Sequence, residues 1–221
     1  MLLGLLTAHS ACAQETVFDV PSADVLAKGK VYSELDGTIN PSESLYTYTP
    51  RIVIGIGNQI EIGANFEGLS SPTVGLLAIS PTIKWRLWNR DASGTSFYVG
   101  DNVFFPVRDR DYDAGNYVYA AFAKQWKSGT RITVGTYDFT AKVVASANRA
   151  GGQFTFEQPI TKRLAFAAEW YTGNQADGYV NPGVTYKLTS ELTLYGAYQI
   201  GNANVTKGNH QFLWELGYNF N

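Results

Sequence analysis

Few residues of this chain have the spacing that catalysis or metal binding demands. Of its two histidines, His9 lies in an apolar leader, and His210 has Phe212 two positions on where a lipid-cleaving enzyme would want a serine in reach of its base. His210 therefore reads as a rim residue. With Cys12 in the leader as well, carboxylates are the only ligands left for a metal, and no metal or cofactor is expected. The run RDRDYDAGN places Asp109, Asp111 and Asp113 at alternate positions. It lacks the closing glutamate of a calcium loop, and Arg108 and Arg110 offset its charge, so it reads as a solvated loop. Gly55 to Gly57 form a GxG with no helix after it, which implies no nucleotide site. The sequence is expected to encode no enzyme.

A different set of polar residues recurs at alternate positions: Glu61, Asn65, Glu67, Lys84, Arg86, Arg131, Glu157, Glu169, Lys187 and Glu215. Their partners in the alternation are apolar, so strands must position them. RIVIGIGNQIEIGANFEG, residues 51–68, puts Ile52, Ile54 and Ile56 on one face, turns at Gly57, Asn58 and Gln59, and resumes with Ile60, Ile62, Ala64 and Phe66. That pattern is a tight hairpin with one apolar and one polar face. The same period recurs at Leu164–Trp170, Val180–Leu188 and Leu192–Ile200, and no segment keeps a helical period over three turns. About twelve strands are expected, near 28–38, 45–57, 59–68, 75–88, 95–107, 115–126, 130–139, 150–159, 163–173, 177–188, 192–201 and 209–220. Pro81 and Pro182 fall inside two of them, where a bulge is expected at each.

The 221 residues are 45% hydrophobic, and 17 basic residues nearly balance 19 acidic ones. One domain follows, without the basic footprint of a nucleic-acid binder. No apolar run beyond the leader is long enough for a spanning helix, which leaves open a membrane barrel whose strands alternate. Short turns at Asn58, Lys127–Gly129, Ile160–Lys162 and Thr189–Glu191 alternate with mostly longer links, the asymmetry of a transmembrane up-and-down antiparallel β-barrel with its short side periplasmic. Aromatics fall toward strand ends, as expected of two interfacial belts. Trp85, Trp126, Trp170, Phe212, Trp214, Tyr218 and Phe220 are assigned to them, with Tyr117, Tyr119 and Phe139 at the outer one. Residues 1–13, MLLGLLTAHSACA, end in the small-residue pattern of a cleaved signal peptide whose basic start lies upstream; a lipoprotein anchored at Cys12 is the alternative. Residues 14–27 are expected to form a short periplasmic lead before the barrel.

The final HQFLWELGYNFN resembles the closing strand of bacterial outer-membrane barrels, which implies recognition by the barrel-assembly machinery, although Asn221 follows the usual terminal Phe. ITKRLAF, LTSELTL, SPTIKWRL and NPGVTYKL are similar to the small transporter-like barrels of a phenol-degradation (MetA-pathway) group, which implies passage of small compounds. Twelve strands at ~4.8 Å spacing and ~40° tilt give a wall radius of roughly 12 Å, which long side chains nearly fill. The expectation is therefore a monomeric bacterial outer-membrane channel, in contact with lipid and lipopolysaccharide, passing small solutes through a narrow mixed-charge lumen. Glu61 is expected to pair with Arg86 near the periplasmic mouth. The alternatives are a non-conducting structural barrel, favoured if Glu61, Lys84, Arg86, Glu157 and Glu169 join in one network, and a lipid-modifying enzyme.

Overall fold

The computed structural model describes residues 16–71, 77–107, 114–140, 148–175, 177–202 and 210–220. Every regular element among them is a strand: β1 (Val31–Asn40), β2 (Leu45–Gly57), β3 (Ile60–Glu67), β4 (Leu69–Ser71), β5 (Ala78–Arg90), β6 (Thr95–Pro106), β7 (Gly115–Gln125), β8 (Arg131–Phe139), β9 (Ala150–Pro159), β10 (Leu164–Tyr171), β11 (Tyr179–Lys187), β12 (Leu192–Gly201) and β13 (His210–Phe220). β3 and β4 both pair with β2 and are parted only by Gly68, so they form a single stave. Each stave is antiparallel to its neighbours, and β1 pairs with both β2 and β13, closing a twelve-stave barrel. Closure leaves no open sheet edge.

The β2–β3 turn shows how sequence sets this register. Asn58 and Gln59 both have positive φ, 52° and 62°, the backbone of a two-residue turn whose twist matches that of the strands. Gly57, at φ 95°, absorbs the register shift between Gly55 and Gly57. A second shift falls between Arg86 and Trp88. The prolines behave otherwise than expected. Register continues unshifted from Ile79↔Phe105 to Thr82↔Asn102 around Pro81, and from Val180↔Ile200 to Gly183↔Ala197 around Pro182. A missing N–H interrupts the ladder locally, yet the alternation of side chains on both flanks holds the pleat in phase.

Burial is inverted relative to a water-soluble domain. Ile52, Ile54, Ile83, Phe122, Val134 and Leu194 are exposed on the outer face, whereas Glu34, Glu61, Lys84, Gln153, Glu169, Asn181 and Glu215 are buried within. So continuous an apolar exterior is incompatible with water. Trp85, Trp126, Trp170, Phe212, Tyr218 and Phe220 are exposed on that exterior. Trp214 lies half-buried there, flat over Gly37, where an added Cβ would sit 2.4 Å from the indole.

Two assignments are corrected. Tyr117, Tyr119 and Phe139 are buried inside the barrel, not in a belt. Val118 and Phe122 hold the outward positions of β7, so its tyrosines must point in. Residues 16–27, expected to precede the barrel, run within it. Residues 1–15 and the Asp109, Asp111 and Asp113 loop lie outside the described residues.

Candidate functional site: the occupied lumen

The inner wall is built by the alternate residues of each stave, and the structure turns the side chains of Glu61, Asn65, Glu67, Lys84, Arg131, Glu157, Glu169, Lys187 and Glu215 to that face. Near the short-turn end, Lys84 Nζ lies 2.7 Å from Glu61 Oε1, because Glu61 and Lys84 are direct cross-strand partners. The expected Glu61–Arg86 pair does not form. Arg86 lies two residues further along β5, level with the turn, where its Nε donates to Gln59 Oε1 at 2.8 Å. Arg131 is forked on Glu157, with Nε to Oε1 and Nη2 to Oε2 both 2.7 Å, across the β8–β9 register. Such a planar, bidentate pair is the strong form of a charge-assisted contact.

Glu61, Arg86 and Arg131 also hold the segment inside the barrel. Gly29 N–H donates to the Gly55 carbonyl at 2.7 Å, fixing the chain at the short-turn end. From there it rises: Leu26 N–H donates to Glu61 Oε2 at 2.8 Å, Arg131 Nη1 to Asp24 Oδ2 at 2.9 Å, Arg86 Nη1 to the Ala23 carbonyl at 3.3 Å, and Tyr98 Oη to the Pro21 carbonyl at 2.6 Å. At mid-height the chain reverses. Val17 N–H closes on the Val20 carbonyl at 2.8 Å, and Thr16 bridges Pro21. The reversal points three successive N–H groups, of Phe18, Asp19 and Val20, at the Glu169 carboxylate, at 3.1, 2.9 and 2.8 Å. Backbone donors converging in this way make an anion nest, here filled by the wall itself. Asn181 Nδ2 donates to Glu169 at 2.7 Å, while Asp19 Oδ2 accepts from Asn181 at 3.2 Å and Gln199 at 2.7 Å. Burial pushes the Asp19 carboxyl up, opposed by Arg51 and by those two amides.

Apolar contacts complete the seat. Val17 and Phe18 pack with Ala167, Tyr195, Ala197 and Leu213, and Leu26 packs with Tyr32 and Val53. Val20 and Ala23 meet a ring of Tyr98, Tyr117, Tyr119, Tyr137, Phe139 and Tyr171. Within it Tyr117 and Phe139 stack at 4.7 Å, and the Tyr117 and Tyr171 hydroxyls lie 2.7 Å apart. Phe18, Val20, Tyr98, Gln153, Asn181 and Glu215 are all 0% exposed, so the described interior is packed at mid-height. Glu61 pairs with Lys84 and Glu157 with Arg131, and Leu26 and Asp24 of the segment meet these pairs at different heights.

The charges also separate by height. Lys84, Arg86 and Arg131 stand with Asp24, Glu61 and Glu157 near the short turns. Above them Asp19, Glu34, Asp36, Glu67 and Glu215 gather about Arg51. Glu34, Asp36, Arg51 and the inner tyrosines were missed in the sequence, although alternation on β1 offered a signal: Tyr32, Glu34 and Asp36 share the parity opposite to Val31 and Leu35. His210 stacks on Tyr198 at 5.7 Å on the outer side.

No protein-family model and no curated relative matches the chain. Solved structures do match in fold. The NanC porin aligns with TM-score 0.60 at 10% identity, over 86% of this chain and 99% of that one. The KdgM porin in complex with disordered oligogalacturonate aligns at 0.57 and 8%, over 87% and 98%. Omp33, an outer membrane protein of Acinetobacter baumannii, aligns at 0.53 and 8%, over 87% and 99%. The chain thus has the closed-barrel fold shared by these porins and this outer-membrane protein.

Proposed function

We propose that the protein is a bacterial outer-membrane channel for passive passage of small solutes, and that its N-terminal segment occupies the conducting path. The observation that carries this reading is a closed barrel, lipid-compatible outside and polar inside, in a fold that two solved porins share. Conduction requires the segment to leave or rearrange, since the lumen is packed around it. The closing strand fits recognition by the barrel-assembly machinery, and the MetA-group resemblance suggests small compounds as cargo. Liposome swelling with graded sugars and small aromatics tests the channel. Influx that falls off with solute size is expected, and the absence of any influx, even after the segment is deleted, overturns the reading.

Lipid exposure of the outer face has its own test. Val134, 49% exposed midway along β8, should face the hydrocarbon. Val134→Arg is expected to destabilise the barrel in vesicles by about 2–4 kcal/mol, the cost of arginine near the midplane. Urea titration of folding into lipid measures it, and a change within about 0.5 kcal/mol, typical of a water-facing site, contradicts a membrane location.

A further inference from the structure

We propose that Glu34, Asp36 and Glu215 form a calcium site in the inner wall, independent of whether the barrel conducts. The three come from adjacent staves. Asp36 faces Glu215 directly across the β1–β13 ladder, and Glu34 is two residues away on the same face of β1. One carboxylate oxygen from each lies within 4.8 Å of the others. All three residues are buried, Glu215 completely, at 0% exposure.

Proximity alone would not make a site, since acidic residues cluster for many reasons. Glu215 supplies the second observation. Both of its carboxylate oxygens are buried and lack a hydrogen-bond partner among the described residues, although Asp36 and Glu34 have neighbours to satisfy them in part. Tyr32 Oη donates to Glu34, and Arg51 Nε lies 2.5 Å from Asp36 Oδ2, with Nη1 3.9 Å from Glu34 Oε1. An isolated buried carboxylate is among the most costly groups a protein can hold without a counter-charge. Arg51 offsets at most one of the three negative charges and is shared with Asp19 and Glu67. The cluster keeps a net negative charge that a divalent cation would neutralise.

Ligand type and spacing select the ion. Only oxygens are offered, which suits a hard cation. Calcium–oxygen bonds of about 2.3–2.6 Å let oxygens on opposite sides of the ion stand about 5 Å apart, whereas bonds of about 2.0–2.1 Å hold those around magnesium to about 4 Å. Oxygens that all lie within 4.8 Å of one another stay inside the calcium span, so calcium fits without movement of the wall. Flexible coordination by three carboxylates and water is within its habit.

Terbium, a calcium substitute that is excited through nearby tyrosine, provides the test. Tyr32 bonds to Glu34, and Tyr195 faces Glu215 across the β12–β13 ladder. The full barrel, folded in detergent and stripped with a chelator, should show saturable terbium emission on tyrosine excitation, displaced by excess calcium. Glu215→Gln should reduce that emission at least tenfold while keeping the heat-modifiable migration of a folded barrel. Calcium should also raise the thermal unfolding midpoint of the unaltered protein over that in chelator, a readout that needs no variant. Absence of saturable emission together with an unmoved midpoint overturns the site. So does emission that survives Glu215→Gln and vanishes when Asp109, Asp111 and Asp113 are replaced by Asn.

Discussion

Deleting residues 14–27, with the leader kept, should raise single-channel conductance severalfold and admit solutes that the intact barrel excludes. The effect should be large because the segment crosses the centre of the lumen: Phe18 and Val20 are fully buried against opposite parts of the wall. Burying each large apolar side chain contributes about 1.5–3 kcal/mol, of the same order as the ~1–2 kcal/mol per residue needed to order the backbone. The balance is thus set by polar anchors, chiefly Glu169. Glu169→Leu removes the acceptor of three backbone N–H groups, at about 1–3 kcal/mol for each left unsatisfied. Planar-bilayer recordings should then show flickering openings in Glu169→Leu and a steady open level in the deletion. Equal conductance in all three forms would place the restriction elsewhere than in this segment.

The barrel was legible because its two determinants are local. Alternation assigns faces wherever one face is polar, as in β3, where Glu61 and Asn65 oppose Ile62 and Phe66. Turn residues such as Asn58 and Gln59 mark where staves reverse. Legibility failed where the inner face is itself apolar. In β7, GNYVYAAFAKQ, both faces are apolar and period two has no contrast. Only the neighbouring stave resolves it: Tyr119 fits against Gly100, its cross-strand partner, whose added Cβ would lie on the tyrosine hydroxyl. Pairing between staves was misjudged by one step, since the Glu61 partner depends on the register across the β3–β5 link, which composition does not reveal. The segment inside the lumen escaped for a third reason. Val17, Phe18, Val20 and Leu26 are spaced for neither strand nor helix, and their burial depends on staves scattered along the whole chain. Four large apolar residues in a supposed solvated lead were nonetheless a signal that it needed a place to dock.

Arg131→Met should have the largest effect on stability of any single inner-wall substitution, lowering it by about 3–5 kcal/mol. The guanidinium serves two carboxylates at once, forked on Glu157 of the wall and bonded to Asp24 of the segment. Its removal takes from two half-buried carboxylates the cation that bonds them both, and the loss reflects those stranded charges more than the worth of the contacts. Two comparisons separate the roles. Asp24→Asn leaves the Arg131–Glu157 fork intact, so it should weaken the seating of the segment and change conductance with little change in unfolding. Arg131→Lys keeps the charge but cannot fork on Glu157 while reaching Asp24, so it should recover only part of the loss. Urea titrations of the three variants in lipid, read beside their conductance, check this order. If Asp24→Asn proves as destabilising as Arg131→Met, the segment is an integral part of the folded core rather than an occupant of a barrel that stands without it. The deletion variant would then fail to fold, and the lumen would be filled by construction instead of being closed by a movable part.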